Sequence, residues 1–210
     1  MPPSFSERMI DGGESFSERM IDEDLKTIAE IEVTAEGIVL NGVRQTTTGS
    51  GLTMLNDAYR QYVNDYPKFF KMDGLCKLGF LASELLLMNL GEERFVPRED
   101  RAVILFNRHA SLQADTAYQA TIQDPDNFFP SPAAFVYTLP NIVTGEIAIR
   151  NKYFGETSFI VIDDYDEKII MENLKNAFQD PMTTSIIGGW VDCSDEEHFE
   201  AKIFLIEKEN

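Results

Sequence analysis

The sequence contains few of the residues that build disulfide frameworks, metal centres and membrane spans. Its 210 residues include two cysteines and two histidines. Cys76 and Cys193 could form at most one bridge, so we expect no disulfide framework and a reducing, cytoplasmic environment. No apolar run approaches the ~20 residues that a membrane-spanning helix needs, so we expect no membrane partner. The first residues carry charges in place of an apolar core, which argues against a secretory signal.

Basic residues are also scarce: 18 lysines and arginines face 36 acidic residues, giving a formal net charge of −18. Such a chain repels phosphates, which excludes nucleic acid as a partner. The sequence has no HExxH or CxxC motif and no Ser/His/Asp elbow. The glycine-rich run TTTGSG at 46–51 lacks the lysine of a phosphate-binding loop. We therefore predict neither a cofactor nor a metal.

The length and a hydrophobic content of 43% are sufficient for one domain with its own core. Before that domain, SFSERMID occurs twice, at residues 4–11 and 15–22. The 11-residue spacing fits a helical repeat, but two copies are too few for a solenoid. We treat residues 1–24 as a duplicated extension of the domain at 25–210. The extension is either an inert tail or a partner-binding amphipathic arm whose anchors would be Phe5, Met9, Phe16 and Met20.

Hydrophobic patterns predict alternating strands and helices through the first two thirds of the domain. Residues 28–41 read as two short strands around a turn at Glu36 and Gly37. Helices are expected at 55–63, at 75–88 and at 111–122, where Ser111 is a candidate cap. A buried strand is expected at 101–106 and a last strand at 202–206.

The stretch from residue 130 to 189 predicts helix, strand, helix and strand in succession. The first helix should begin near Pro140 with Thr138 as its N-cap. A strand follows at 158–162, where the residues are apolar and β-branched. The next helix should begin near Asp164, which has the spacing of a capping box with Glu167. A strand at 184–187 then precedes the pair Gly188–Gly189.

The motif residues of the later stretch are Ser131, Pro132, Phe135, Thr138, Asn141, Gly145, Ile147, Ile149 and Gly155. This order of elements, with these motif residues, resembles the N-terminal half of a β-ketoacyl (3-oxoacyl-ACP) synthase of the thiolase-like superfamily. An upstream helix at Met72, Asp73, Leu78 and Ala82 resembles the family as well. The resemblance implies an α/β half-fold with a mixed five-stranded sheet and helices on both faces. It covers about residues 28–207, and the family's second half, with two catalytic histidines and a lysine, has no counterpart here.

The resemblance places the family's nucleophilic cysteine at position 164, where this sequence has Asp164. Condensing enzymes use a thiolate at a helix N-terminus, where the helix dipole lowers the thiol pKa. A carboxylate is favoured by the same dipole, but it does not exchange with thioesters in that way. The resemblance therefore implies a scaffold without the family's nucleophile.

In this family the strand before the nucleophile pairs across a two-fold axis, which implies a dimer edge in this chain. An exposed apolar strand would otherwise be an aggregation hazard, so the residues themselves also favour a partner there. The partner would be a second copy or a full-length ketosynthase. An acyl carrier protein is a further candidate, although carrier proteins are acidic and so is this chain. The dimer-edge residues are Thr157, Ser158, Phe159, Ile160, Val161 and Ile162.

Aromatic residues before the edge suggest an acyl pocket. Phe135, Tyr137 and Thr138 would line it, and packing in the core is the alternative. We predict a non-catalytic accessory subunit, like the chain length factors of polyketide, aryl-polyene or fatty acid biosynthesis. The alternatives are residual 3-oxoacyl-ACP synthase activity and a homodimeric scaffold outside lipid metabolism.

Other candidate sites each have a simpler structural explanation. His109 follows a strand end, where α/β sites often lie, but it lacks a nucleophile in the sequence. Acidic neighbours of Cys193 would raise its pKa, and Cys76 belongs to an apolar helix. The single tryptophan, Trp190, suits packing. A hard-metal site and helix capping compete for one acidic cluster, Asp163, Asp164, Asp166 and Glu167.

Overall fold

The computed structural model describes residues 19–22, 24–126 and 128–209. Its strands are β1 (Arg19–Asp22), β2 (Leu25–Thr34), β3 (Gly37–Leu40), β4 (Val43–Arg44), β5 (Arg101–Asn107), β6 (Thr157–Val161), β7 (Ser185–Cys193) and β8 (Phe199–Lys208). Its helices are α1 (Gly51–Tyr62), α2 (Gly74–Met88), α3 (Leu112–Ala120), α4 (Pro132–Val136), α5 (Ile142–Asn151) and α6 (Glu167–Ala177), with a 3-10 turn at Pro67–Lys71.

The described strands form one mixed sheet of eight, in the order β4-β3-β2-β8-β7-β5-β6, with β1 beside β2. β5 runs parallel to both β6 and β7, and the other pairs are antiparallel. The α/β class and the mixed sheet are confirmed, but the predicted number of five strands is wrong. β1 and β4 were not predicted, because strands of four and two residues are too short to show a clear alternation of apolar and polar residues.

Helices lie on both faces of the sheet, as predicted. α1, α2 and α5 contribute to the larger apolar cluster on one face, and α6 contributes to a smaller cluster on the other. All of α2 except Lys77 and Met88 is buried, because its sequence is apolar around the whole helix. α6 presents a narrower stripe, in which Ile170 and Leu174 are buried against the strands.

The pair Gly188–Gly189 lies inside β7 and does not follow a strand end, so the expected boundary is wrong. A Cβ on Gly188 would lie 2.5 Å from a methyl group of Leu174 in α6. Gly189 has a φ of +146°, and a Cβ there would collide with the backbone carbonyl of Lys202 in β8. Both glycines therefore allow a helix and a neighbouring strand to approach β7 closely.

The helix start predicted near Pro140, before β6, is also corrected. α5 begins at Ile142 with Asn141 at its N-cap position, so neither Pro140 nor Thr138 opens it. The Thr138 hydroxyl donates instead to the carbonyl of Phe135 (2.7 Å), which closes the separate helix α4. A hydroxyl that bonds to the nearby backbone in this way competes with the helical hydrogen bonds, and here it favours two short helices over one long helix.

The other predicted elements of the domain are present with modest changes at their ends. The β2–β3 hairpin, α2, β5, β6 and β8 are confirmed. α1 begins at Gly51, four residues before the predicted start, where Leu52 N–H donates to the carbonyl of Glu196 (3.0 Å). Ser111 lies at the N-cap position of α3, but its hydroxyl donates to the carbonyl of Thr138 (2.7 Å) instead of capping.

The duplicated segment lies mostly outside the described residues, and so do three of its four suggested anchors, Phe5, Met9 and Phe16. The end of the second copy forms β1, which pairs antiparallel with β2 in the register Arg19 to Thr27. The sheet thus includes a strand from the segment that the sequence pattern sets apart from the domain.

Candidate interaction edge and nucleophile position

Strand β6 forms one edge of the described sheet. It pairs with β5 on one side, and no other described strand pairs with it. Val103 N–H donates to the carbonyl of Glu156 (2.8 Å), and Ile162 N–H donates to the carbonyl of Asn107 (2.9 Å). Because backbone groups alternate along a strand, the amides of Thr157, Phe159 and Val161 point away from β5. The edge can therefore accept another strand.

The side chains of β6 anchor it to both layers of the domain. Phe159 packs against the larger cluster and Ile160 against the smaller one. Val161 remains 51% exposed at the end of the strand. Apolar residues on α5 and in the loop before β6 are exposed as well, notably Ile149 and Phe154 at 68% and 69%. Exposed apolar side chains thus lie in the helix and the loop that precede the open strand.

Asp164, at the expected nucleophile position, lies in the loop between β6 and α6. The predicted helix start at Asp164 is wrong, because α6 begins at Glu167. The Asp164 Oδ1 atom accepts the amide of Tyr165 (2.8 Å) and lies 3.7 Å from the Arg108 guanidinium. Its side chain is 39% exposed. The residue at the position where the resemblance implies a reactive thiol is therefore a half-exposed, ion-paired carboxylate.

Helix α6 is capped by a different acid from the predicted one. Asp166 Oδ1 accepts the amides of Lys168 (2.9 Å) and Ile169 (3.1 Å), which is the N-cap arrangement. The predicted capping box of Asp164 and Glu167 does not form. Four acids precede or open this helix, and the loop geometry that selects Asp166 is not encoded in their spacing alone.

The loop is fastened to the sheet through Tyr165. Its hydroxyl donates to Glu167 Oε2 (2.9 Å), and its ring meets the Trp190 ring edge-on at 5.8 Å. Burial raises the pKa of Tyr165, and the neighbouring Glu167 adds to the shift. The buried ammonium of Lys202 lies 3.4 Å from Glu167 and 3.6 Å from Glu32. Tyr165 thus remains a hydrogen-bond donor that holds the loop in place.

An open depression of about 430 Å³ lies beside this loop. The predicted acyl-pocket residues do not line it. Phe135 is 51% exposed and contacts the Tyr118 ring at 5.4 Å, whereas Tyr137 packs against the larger cluster. Burial, helped by Glu146, raises the pKa of Tyr137 to about 12. The lining residues of the depression are Ile162, Asp163, Asp164, Tyr165, Asp166 and Ile169.

His109 has a partner that the sequence did not suggest. Its Nδ1 atom lies 2.6 Å from Oδ2 of Asp192, a carboxylate near the end of β7. Asp192 Oδ1 also accepts the amides of Arg108 (3.1 Å) and His109 (3.0 Å). The sequence feature that could have revealed this contact is Asp192 itself, an acid at the end of an apolar strand, because a buried carboxylate requires hydrogen-bond donors. The pair ties the carboxyl ends of β5 and β7 together.

Both cysteines are buried and unsuited to nucleophilic attack. Burial raises the pKa of Cys193 to about 12, with Asp73, Asp192 and Asp195 adding to the effect. Burial also raises the pKa of Cys76 well above its usual range, and Asp73 contributes. Reactive cysteines need an electropositive, accessible environment, and these thiols lie among acids.

The acidic loop does not form a recognisable metal centre. Within residues 24–126 and 128–209, no group of three or more His, Cys, Asp or Glu side chains converges as metal ligands would. Asp166 and Glu167 are engaged in capping and in the contact with Tyr165. Every described helix is too short or too polar to cross a lipid bilayer.

Comparison with solved structures shows that the chain has the ketosynthase fold. "The ishigamide ketosynthase/chain length factor" matches with a TM-score of 0.65 and 15% identity, over 88% of this chain and 62% of that chain. "Ketosynthase (ApeO) in Complex with its Chain Length Factor (ApeC) from Xenorhabdus doucetiae" matches with a TM-score of 0.55 and 12% identity, over 90% and 80%. A β-ketoacyl synthase from Burkholderia phymatum STM815 gives 0.53 and 11%, over 90% and 60%.

These matches confirm the predicted thiolase-like fold, and at such low identity they show the fold alone. The chain spans about 60% of the length of the first and third structures, and more of the second. No protein-family model and no curated protein sequence matches it.

Proposed function

We propose that this chain is a non-catalytic, ketosynthase-like accessory subunit that pairs through β6 with a full-length ketosynthase. By analogy with chain length factors, it would act in polyketide, aryl-polyene or fatty acid biosynthesis and shape the acyl pocket of its partner. The observation that carries the proposal is the combination of an open edge strand with Asp164 directly behind it.

The chemistry at position 164 supports a non-catalytic role. Condensation begins with transfer of an acyl group to a thiolate, and the product thioester keeps the group reactive. The same transfer to a carboxylate would give an acid anhydride, which water hydrolyses readily. Asp164 is also ion-paired with Arg108 and lies before the first turn of α6. The two thiols of the chain are buried and cannot substitute for the missing nucleophile.

The edge supports the pairing. Strand addition to an open edge gives affinity through main-chain hydrogen bonds, and flanking side chains give selectivity. β6 offers the amides of Thr157, Phe159 and Val161, with exposed Phe154 and Ile149 nearby. Two of the matched structures are described as a ketosynthase together with a chain length factor. An acyl carrier protein would then meet the complex through the ketosynthase, because this acidic chain is a poor docking surface for an acidic carrier.

The test is affinity capture of the tagged chain from its native cell, followed by sizing and mass spectrometry. Val161→Pro removes an edge-facing amide and leaves the ladder to β5 intact, so it should release the partner. Val161→Thr keeps the amide and the β-branched shape, and serves as the matched control. A stoichiometric full-length ketosynthase captured by the native chain and V161T, but lost with V161P, is the expected result.

Two outcomes would overturn the proposal. A homodimer with no condensing enzyme would favour a scaffold outside lipid metabolism. Acylation of any residue on incubation with acyl thioesters would instead favour residual 3-oxoacyl-ACP synthase activity.

A further inference from the structure

The open edge carries negative charge at both ends. Glu156 precedes β6 and Asp163 follows it, and both are exposed. Residues 153–167 contain four acidic residues besides Glu156 and no basic residue. Arg108, from the end of β5, lies beside Asp164 and offsets part of the charge at one end. A strand that joins this edge therefore meets carboxylates before and after the apolar stretch.

A second copy of the chain would meet these charges in an unfavourable arrangement. Two identical strands related by a two-fold axis in one sheet must run antiparallel. Pairing centred on Phe159 places Glu156 opposite Ile162 of the second copy, next to that copy's Asp163. Moving the centre of the pair to Ser158 or to Ile160 places Glu156 opposite Ile160 or opposite Asp164 of the second copy. Symmetry repeats the same approach of like charges at the other end of the pair.

Like charges across neighbouring strands are destabilising, and the whole chain adds to the effect. Each copy has a formal net charge of −18, so a homodimer would carry −36. The main-chain hydrogen bonds of the edge, by contrast, are independent of the partner's sequence. Discrimination between partners must therefore come from side chains, and the end charges are suitably placed for it.

We propose that the charges at the ends of β6 select the partner, favouring an edge strand flanked by Lys or Arg in a different chain and disfavouring a second copy. This inference rests on the proposed function, because it assigns a chemical character to the ketosynthase surface that β6 joins. That surface has an open strand with basic residues before and after it. The acidic ends thus act as a device against self-association.

The decisive variant is Glu156→Lys, which makes the edge complementary to itself. In the registers centred on Phe159 and Ile160, the introduced ammonium lies close to Asp163 or Asp164 of the second copy at both ends. Sedimentation velocity would be measured in about 0.05 M and about 0.5 M salt, where screening lengths differ several-fold. We expect the native chain to be monomeric at low salt and to associate more at high salt. E156K should self-associate about tenfold more tightly than the native chain at low salt and should weaken as salt rises.

Matched controls separate this edge from a general effect of charge. Glu36→Lys makes the same charge change in the exposed turn between β2 and β3, on the far side of the sheet. It should behave like the native chain. Val161→Pro added to E156K should abolish the new dimer. Asp163→Lys reverses the charge at the other end of the strand and should reproduce the E156K result, which guards against a folding defect in one variant.

The inference is overturned if E156K and D163K do not increase association, or if E36K increases it equally. A tight native homodimer at low salt that V161P disrupts would overturn it as well. Failure of the proposed function looks different. If native and E156K chains capture a ketosynthase equally, the charge inference fails and the function stands. If neither captures one while self-association still follows the charge, the function fails and the charge inference stands.

Discussion

Two edge strands of the sheet, β4 and β6, differ in whether they are protected. β4 has only two residues, the Gln45 side chain donates to the carbonyl of Val43 (2.9 Å), and the Arg44 guanidinium donates to the carbonyl of Glu36. Short length, a side-chain cap and a cation are common ways to blunt an edge. β6 has five residues and no such cover among the described side chains. Among the described residues, β6 thus lacks the protection that β4 has, which is the arrangement that the proposed pairing through β6 requires. Four expected effects test this difference between the edges.

The largest change in stability is expected in the middle of the sheet, where β7 lies beside β8. Gly189→Ala places a methyl group against the Lys202 carbonyl at a φ of +146°, so we expect a loss of about 3 kcal/mol or more in unfolding free energy. Denaturant unfolding monitored by Trp190 fluorescence measures it. Gly145→Ala is the control, because a Cβ at this site in α5 has open space and the helix should be unchanged or slightly stabilised. Equal stability of the two variants would contradict the close approach.

The next effect distinguishes the two sides of β6 itself. Ser158→Pro removes an amide that faces β5, and we expect it to cost about 3 kcal/mol of unfolding free energy. Val161→Pro removes an edge-facing amide and should cost about 1 kcal/mol or less. Thermal and denaturant unfolding of the two variants give the comparison. If V161P were as destabilised as S158P, the Val161 amide would already have a partner within the chain, and the edge would not be open.

A smaller loss of stability is expected at the carboxyl ends of β5 and β7, where the contact of His109 with Asp192 holds β5 next to the open strand β6. His109→Ala leaves the buried carboxylate of Asp192, whose side chain is 8% exposed, without one donor. We expect a loss of about 1–3 kcal/mol, the usual cost of a buried unsatisfied group. His198→Ala is the matched control. It removes the other histidine–aspartate contact, with Asp195, but that histidine is 75% exposed and should change stability by less than about 0.5 kcal/mol. Similar losses of unfolding free energy in both variants would mean that burial of the His109–Asp192 contact adds nothing to its contribution.

The sequence was sufficient for elements whose signal is local. The apolar helix α2, the buried strand β5 and the β-branched strand β6 were predicted because their periodicity is decided within a few residues. The helix starts near Pro140 and Asp164 were wrong, because several candidate caps stand close together and the backbone of the loop selects one. The glycine pair in β7 was misread as a strand end, since only the packing of Leu174 and Lys202 explains glycine there.

The candidate site was predictable only in part, for the same reason. The edge strand and the acid at position 164 followed from an apolar run and a family resemblance. The contact of His109 with Asp192 spans 83 residues, and nothing local in either segment specifies it. Long-range pairs of this kind depend on the order of strands in the sheet, which places β5 beside β7. That order is a property of the whole fold.

The smallest effect concerns the amino ends of β5 and β7, the other support of the open edge. Arg98 donates to both carboxylate oxygens of Asp100 (3.0 and 2.9 Å), and these bonds hold the pKa of Asp100 well below its usual range. A carboxyl whose pKa is lowered by folding adds stability above its unfolded value of about 3.9 and loses it as the pH falls.

Asp100→Asn should therefore be less stable than the native chain at pH 7 by about 1 kcal/mol or less, since 34% of the side chain is exposed and water screens the pair. The difference should shrink as the pH falls below about 4, where the unfolded carboxyl takes up a proton and the native one does not. Denaturant unfolding of both chains from pH 7 down to about pH 3 measures it. A difference that stays constant across this range would mean that Asp100 supports the strand ends through its shape and its neutral hydrogen bonds alone. Its charge would then contribute nothing to holding β5 beside the open strand β6.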